Sequence, residues 1–213
     1  MNIFDIVGPI MIGPSSSHTA GVVRIGQICN KIFGKADKYE IIFYESFAKT
    51  YNGHGSDKAI IGGLLNMNPW DDNLPKALEI AKKKNMNYTM STSTDKSEHP
   101  NAVLVKANNT SVLGFSVGGG NILIKKINDV NVEIDGKYDT IFINHIDEPG
   151  VIHEVTEVLY KYAINIANMK VYRSEKGGNA IMIIEIDGTI NPNVTQELNS
   201  KCKINKSTII PSI

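Results

Sequence analysis

The sequence predicts a mixed α+β fold in two consecutive units, residues 1–134 and 138–213. Apolar residues recur at three- and four-residue steps soon after residue 21, which is typical of a helix with one buried face. Short runs rich in β-branched and aromatic residues, typical of strands, alternate with further helical patterns. In the second unit these patterns follow the order βαββαβ, which is the order of a ferredoxin-like fold.

The first predicted helix follows a polar segment, residues 13–21, with the sequence Gly-Pro-Ser-Ser-Ser-His-Thr-Ala-Gly. Its buried face is predicted from five apolar positions: Val22, Ile25, Cys29, Ile32 and Phe33. Unpaired N–H groups and the helix dipole favour an anion at such a start. Capping needs one hydroxyl, so we expect the surplus hydroxyls to bind a ligand carboxylate or phosphate: Ser15, Ser16, Ser17 and Thr19. The alternative is a well-capped helix without a ligand.

One arginine is predicted to lie close to this segment. Arg24 is one helical turn beyond Ala20, and helical side chains lean towards the N-terminus. Its guanidinium is therefore predicted to reach the hydroxyls and to bind a carboxylate through two parallel hydrogen bonds. The alternative is an arginine that points into solvent.

The rest of the first unit is predicted to alternate between strands and helices. The predicted elements are a strand at 39–44, a glycine-rich loop, a helix from Ser56, a helix over 71–84, and strands at 103–105, 112–115 and 122–124. Three glycines at 118–120 separate the last two strands and predict a bulge or a tight connection. Asp135 and Gly136 give a turn signal at the end of the unit.

A second polar motif, residues 51–58, precedes the second predicted helix and reads Tyr-Asn-Gly-His-Gly-Ser-Asp-Lys. Two glycines flank His54, so the backbone can approach a ligand closely while the imidazole projects from the loop. Histidine is a natural proton acceptor near neutral pH. Ser56 or Asp57 is predicted to cap the following helix. The alternative is a capped turn whose histidine pairs with a surface carboxylate.

The second unit is predicted to be the more regular of the two. Its elements are a strand at 140–143, a turn at 147–150, a helix over 151–162, a strand from 164 to 171, a hairpin turn at 177–178, a strand at 180–186, a helix at 195–198 and a strand at 207–210. The fold alone implies no chemistry.

Composition excludes several classes of function. Lysine plus arginine and aspartate plus glutamate number 22 each, so no net charge attracts nucleic acid or an anionic membrane. The apolar runs are too short to cross a membrane, and Asp5 without a basic leader argues against a secretory signal. Two distant cysteines, Cys29 and Cys202, predict a reducing, cytoplasmic environment. The histidines lack zinc-site spacing, and the glycine motifs match neither a P-loop nor a dinucleotide fingerprint.

Four ordered motifs resemble the beta subunit of iron–sulfur-dependent L-serine dehydratase (L-serine ammonia-lyase): residues 13–21, 53–59, 99–101 and 116–120. The tail from Thr140 resembles an ACT domain, which this subunit carries in two-chain forms of the enzyme. The first domain is also similar to the allosteric substrate-binding domain of some phosphoglycerate dehydrogenases. The chain departs from these families at Ser56, where the dehydratase more often has threonine, and at Asp147, where serine-binding ACT domains have asparagine.

The resemblance implies conversion of L-serine to pyruvate and ammonia without pyridoxal phosphate, with a [4Fe-4S] cluster acting as a Lewis acid on the substrate hydroxyl. Such clusters are held mainly by cysteine thiolates. Two cysteines cannot supply that site, so we expect the cluster in a separate alpha subunit and no activity from this chain alone. A related hydroxy amino acid such as threonine is an alternative substrate.

Roles for single residues follow as hypotheses. His54 is expected to be the general base, with Asp57 as its orienting partner and His18 as the second candidate. The residues expected to bind the substrate are Ser15, Ser16, Ser17, Thr19, Arg24, Ser56 and Lys58, with the first five at its carboxylate. This pocket either completes the active site or binds serine as an effector.

The ACT tail is expected to regulate the enzyme or to assemble it through beta–beta contact over residues 140–213. An effector would be held by His145, Asp147, the N–H of Gly150 and Asn165. The alternative is a purely structural dimerisation module. A rival function from another class is a free-standing sensor that binds serine and reports it to another protein.

Overall fold

The structure is a computed structural model that describes residues 8–188 and 190–213. Asp5, used above against a secretory signal, lies outside these residues. The chain divides into unit 1, residues 1–128, and unit 2, residues 129–213. Each unit combines a sheet with helices, which confirms the predicted α+β class. The finer domain limits, 1–134 and 138–213, stay a prediction.

Unit 1 begins, within the described residues, with a π-helical segment that runs directly into an α-helix. Its elements are the π-helical segment Ser16–Gly21, α1 Val22–Phe33, β1 Tyr39–Tyr44, α2 Glu45–Thr50, α3 Ser56–Leu64, a 3₁₀ turn Leu74–Lys76, α4 Ala77–Lys83, β2 Tyr88–Ser93, β3 Ala102–Ala107, β4 Thr110–Gly118 and β5 Asn121–Ile127. The strands lie in the order β2-β1-β3-β4-β5. The β1–β2 pair is parallel and the other neighbours are antiparallel.

Two glycines bring α1 and α3 into direct backbone contact. A Cβ added at Gly63 would overlap the carbonyl oxygen of Val23 and lie 2.8 Å from the Cα of Gly26. A Cβ added at Gly26 would lie 2.7 Å from the carbonyl oxygen of Ile60. The helices that follow the two polar motifs therefore touch without intervening side chains. The predicted apolar face of α1 is buried, as its spacing indicates.

Three elements of unit 1 differ from the sequence prediction. The helix predicted over 71–84 is shorter: a 3₁₀ turn with Pro75 near its start precedes α4. The predicted glycine-rich loop after β1 begins with α2, which is too short to give a periodic pattern. Strand β2 was not predicted, and its sequence Tyr-Thr-Met-Ser-Thr-Ser forms a polar edge of the sheet.

Unit 2 contains the predicted βαββαβ series, preceded by one further strand. Its elements are β6 Val130–Ile134, β7 Asp139–Ile146, α5 Val151–Lys161, β8 Asn165–Arg173, β9 Asn179–Asp187, α6 Asn193–Asn199 and β10 Ile204–Ile210. The four-stranded sheet has the order β10-β7-β9-β8. Alternate residues of β7 and β9, such as Ile143 and Ile184, pack with Val155 of α5 and Leu198 of α6 in one apolar core.

Candidate functional site

A cavity of about 220 Å³ in unit 1 brings together the two polar motifs that the sequence singled out. The first motif contributes Gly13, Pro14 and Thr19 to its wall, and the second contributes His54 and Lys58. The motifs lie more than thirty residues apart in the sequence, so their meeting depends on the fold. This shared cavity is the candidate functional site.

The hydroxyl segment, residues 15–19, forms the start of the helix on one side of this cavity. Ser15 caps the π-helical segment, since its Oγ accepts a hydrogen bond from the backbone N–H of His18 at 3.3 Å. The Oγ1 of Thr19 is buried and has no hydrogen-bond partner among the described residues. A Cβ on Gly13 would overlap the Thr19 side chain, so the glycine makes room for it. Thr19 therefore lines the cavity and has a buried hydroxyl without a partner among the described residues.

His18 lies behind the segment with partners on both ring nitrogens. Its Nε2 is 3.0 Å from Thr50 Oγ1, and its Nδ1 is 3.3 Å from Ser15 Oγ. The edge of Phe47 contacts the ring, with centroids 5.0 Å apart. Burial, and then the neighbouring His54, lower the pKa of His18 below its ordinary value. Both causes favour the neutral imidazole over its charged form.

His54 lies exposed in the loop between α2 and α3, as predicted. Its ring centroid is 4.9 Å from that of His18, in a perpendicular arrangement. Its backbone N–H donates to the carbonyl of Thr50 at 2.9 Å, which ties the loop to the end of α2. The two histidines form a pair, with one partly buried and fully hydrogen-bonded and the other open to solvent.

The predicted cap of α3 was wrong. The capping position is Gly55, with a left-handed φ of 76° that favours glycine. Ser56 is the first helical residue, and its buried hydroxyl donates to the carbonyl of His18 at 3.1 Å. Its hydroxyl therefore joins the two motifs instead of facing a ligand.

Asp57 has a partner other than the one predicted. Its Oδ1 accepts a hydrogen bond from the N–H of Lys58 at 2.8 Å, and burial raises the pKa of the carboxyl group. Within the described part of the chain, no hydrogen bond joins Asp57 to His54. The orienting role assigned to Asp57 has no contact to support it.

Arg24 also points to a different partner. Its Nη1 donates to the carbonyl of Gly120 at 2.6 Å, and burial lowers its pKa. The three glycines 118–120 all have positive φ and form the tight β4–β5 connection that the sequence allowed. A Cβ on Gly120 would approach Arg24 and Ala20, so this turn packs on the start of the first helix. Arg24 thereby supports the site instead of clamping a ligand.

Residues of α2 were missed because the sequence predicted a loop there. Thr50 and Phe47, both on α2, contact His18. The motif at 99–101 holds α2 in place, because the carbonyl of Pro100 accepts from the N–H of Ser46 at 2.9 Å. The same motif reaches β4, where the N–H of Ser116 donates to the carbonyl of Asn101 at 3.0 Å. This motif was the one feature of the sequence that could have indicated a contribution from α2.

In unit 2, His145 is buried at 2 % exposure within β7. Its Nδ1 lies 2.8 Å from the carbonyl of the next residue, Ile146, and its Nε2 is buried with no partner in the described chain. Asp147 accepts from Arg173 at 3.3 Å and from the N–H of Gly177 at 3.2 Å. The Gly177 N–H is the main cause that lowers the pKa of Asp147.

The structure corrects the effector prediction at Asn165, which lies apart from His145 in the sheet. Gly150 caps α5 with a φ of 93°, near His145 in sequence. Asn165 instead donates to Asp187 at 2.9 Å. His145 pairs with Ala180, whereas Asn165 pairs with Asp187 at the opposite end of β9. The sheet therefore separates Asn165 from the other three residues.

Comparison with known proteins finds a matching protein family for each of the two units. A family model described as serine dehydratase beta chain matches residues 2–127, and an ACT domain model matches residues 140–203. The chain is 39% identical over 203 residues to a probable L-serine dehydratase beta chain of Bacillus subtilis, covering 93% of this chain and 92% of that protein. It is 35% identical to an L-serine dehydratase beta chain of Peptoniphilus asaccharolyticus, covering 86% of each chain.

A more distant similarity extends to another enzyme. The chain is 32% identical over 196 residues to D-3-phosphoglycerate dehydrogenase of Methanocaldococcus jannaschii. The match covers 87% of this chain but 36% of that protein. No helix among the described residues is long and apolar enough to span a membrane.

Proposed function

The chain belongs to the serine dehydratase beta chain family, and we propose that it is the beta chain of a two-chain L-serine dehydratase that needs no pyridoxal phosphate. The proposal rests on the cavity where the two polar motifs meet, since this part of the chain matches the family. The two relatives are named beta chains and match this chain over most of their length, which supports an alpha chain as its partner. The proposed reaction converts L-serine to pyruvate and ammonia.

The [4Fe-4S] cluster of this enzyme class does not fit the residues of this chain. Cys29 is fully buried in α1, and burial raises the pKa of its thiol, whereas cluster ligands are thiolates. Cys202 is exposed and lies in the other unit. In the described ranges, no three His, Cys, Asp or Glu side chains are grouped for a metal. We therefore assign the cluster to the alpha chain and propose that the beta chain alone is inactive.

The cavity is proposed to bind the amino acid substrate. The free Thr19 hydroxyl and the backbone N–H groups near Ser16 and Ser17 would bind the carboxylate at the start of the helix. Lys58, exposed at the cavity wall, would add a positive charge. His54, which projects into the same space, is proposed as the general base.

Substitution of His54 tests this assignment in the assembled enzyme. We expect His54→Ala, co-purified with the alpha chain, to lower kcat by about 10²- to 10⁴-fold, the usual contribution of a general base. His153→Ala is the matched control, because His153 is exposed on α5 in unit 2. Unchanged turnover in the His54 variant, with the complex intact, would contradict the role.

Co-expression tests the subunit assignment. The candidate alpha chain and this chain are purified together without oxygen, and pyruvate formation from L-serine is measured for the pair and for each chain alone. We expect activity only in the pair, with the brown cluster in the alpha chain. If the chains do not associate and this chain still binds serine, the free-standing sensor is the better interpretation.

The same complex separates a catalytic pocket from a regulatory one. We expect Ser16→Ala to lower turnover at saturating serine, because its segment binds substrate in the proposed site. Unchanged maximal turnover with altered cooperativity would instead indicate an effector pocket.

For the ACT domain we propose a role in assembly. Its edge strand β8 is mostly exposed and has one unpaired side in the described sheet, which allows pairing with a second copy. Its predicted effector residues are separated or already hydrogen-bonded within the chain. Calorimetric titration of the full chain with serine tests this: heat that is lost in an Asp147→Ala variant would contradict a purely structural role.

A further inference from the structure

A contact between Thr50 and a backbone carbonyl sets the directions of the hydrogen bonds around His18. Thr50 Oγ1 lies 2.9 Å from the backbone carbonyl of Ser46, one turn earlier in α2. A carbonyl oxygen can only accept, so the hydroxyl of Thr50 must donate its one proton there. Thr50 Oγ1 can then only accept a hydrogen bond from its other neighbour, the Nε2 of His18 at 3.0 Å.

It follows that Nε2 of His18 carries a proton. A neutral imidazole has one ring proton, so Nδ1 holds a lone pair and acts as an acceptor. Its neighbour at 3.3 Å is Ser15 Oγ, whose hydroxyl must therefore donate to the ring. Ser15 Oγ in turn accepts from the backbone N–H of His18 at 3.3 Å. Every donor in this chain of contacts meets an acceptor.

We propose that Thr50 is a positioning residue that fixes His18 in the Nε2–H tautomer, so that Nδ1 is its proton-accepting atom and Ser15 the hydroxyl through which that atom is reached. His54 stays the proposed general base, and a further proton from a bound ligand would pass to Ser15 Oγ while Ser15 passes its own proton to Nδ1. Ser15 stays neutral, and the imidazole gains one positive charge. The consequence for turnover rests on the proposed function, whereas the tautomer does not.

The surroundings hold Thr50 in this place. Phe47, fully buried on the same helix, packs its edge on the His18 ring. The Pro100 carbonyl accepts from Ser46 near the first turn of α2 and fixes the helix that carries Thr50. His54 also contacts His18, and its ring lies nearly perpendicular to that of His18. Thr50 is thus the side chain that supplies an acceptor to Nε2.

The test is a nitrogen NMR spectrum of the full chain labelled with ¹⁵N-histidine, at a pH where His18 is neutral. The wild-type spectrum is expected to show a protonated Nε2 and an unprotonated Nδ1 for His18. In Thr50→Val, an Nε2–H would face a methyl group without an acceptor, which is costly for a partly buried donor. We therefore expect the Nδ1–H tautomer to become populated, with Nδ1–H donating to Ser15.

Two further variants serve as controls. Thr50→Ser keeps the hydroxyl and should restore the wild-type tautomer, whereas Thr89→Val removes an exposed hydroxyl of β2 and should change nothing. A wild-type His18 with a protonated Nδ1 would overturn the proposal even if Thr50→Val did not fold. An unchanged tautomer in a folded Thr50→Val protein would overturn it as well.

Turnover in the alpha–beta complex gives a second readout. We expect Thr50→Val to lower kcat about tenfold with KM nearly unchanged, since one hydrogen bond of the ring is lost, and Thr50→Ser to recover most of it. A shifted tautomer with unchanged kcat would overturn the role in proton transfer. A wild-type complex without serine turnover would count against the proposed function, while the NMR result would still decide the positioning role.

Discussion

His18 in unit 1 is partly buried and His145 in unit 2 is buried, and the hydrogen-bond partners of the two rings differ in kind. Both ring nitrogens of His18 meet hydroxyl groups, and His18 lies behind a cavity lined by His54. His145 uses one nitrogen on the neighbouring carbonyl and buries the other without a partner in the described chain. The hydrogen-bond partners of a histidine, more than its burial, therefore distinguish a histidine that can transfer protons from one that has a structural role.

The largest difference should appear when each ring is replaced by leucine in the alpha–beta complex. We expect His18→Leu to lower kcat about 10²- to 10³-fold, because it removes an acid–base group from the site. His145→Leu should leave kcat nearly unchanged and raise the free energy of unfolding by about 1 kcal/mol, because an unpartnered buried nitrogen is removed. Pyruvate assays and urea titrations measure the two effects. Equal losses of kcat in the two variants would contradict the different roles assigned to the two histidines.

Glycine substitutions sharpen the comparison at the level of the backbone. Gly63→Ala should destabilise unit 1 by about 2–3 kcal/mol, since the new methyl group overlaps the Val23 carbonyl of α1. Gly150→Ala should cost unit 2 about 1–2 kcal/mol, because the space is open and only the left-handed φ of 93° is unfavourable. Scanning calorimetry measures both. A larger loss at Gly150 would show that the α5 turn is the more constrained start.

The pH dependence of unfolding tests the neutral state of His18. Its pKa is lowered in the folded chain, so the unfolded chain binds the proton more readily below about pH 6.5, the ordinary value. Stability should be highest above this pH and should fall as the pH drops through it. His18→Gln should flatten this slope between pH 7.5 and 5.5, with the fluorescence of Trp70 in unit 1 as the probe. The raised pKa of Asp57 acts with the opposite sign at more acidic pH.

The smallest effect is expected at the Asp147 turn in unit 2. Arg173→Ala removes one partner of the Asp147 carboxylate, while the Gly177 N–H remains. We expect the pKa of Asp147 to rise part of the way to its ordinary value, measured by carbon NMR titration. The stability that this depressed pKa gives is lost only as the solution becomes acidic. A pKa that does not move would show that Arg173 has no electrostatic role there.

Much of the fold could be predicted from periodicity. The apolar face of α1, the strand at 39–44 and the βαββαβ series are all present, because each depends on local patterns of buried residues. Two elements could not be predicted this way. The six residues of α2 make fewer than two helical turns, which is too few for a repeating pattern, and β2 is a polar strand at the edge of the sheet.

The site was predictable as a location but not as a set of contacts. Both motifs line one cavity, as two histidine-bearing helix starts suggested. The partners of Arg24 and Ser56 could not be foreseen, because each side chain bonds to the backbone of a segment distant in the sequence. Asp57 bonds to the backbone N–H of its neighbour Lys58 instead of a histidine. Nothing in the sequence marked Thr50, because its role depends on the position of α2, a helix that was not predicted.

The hydrogen bonds around His18 also bear on the order in which the chain folds. The contact between His18 and Thr50 closes 32 residues, and the contact between Arg24 and Gly120 closes 96. Loops of such length close late, after local helices and hairpins have formed. A fragment that ends before β4 would contain both polar motifs and still lack the turn on which the first helix rests. Binding competence should therefore arise at the end of folding of unit 1, and a ligand of the cavity would select the fully folded chain.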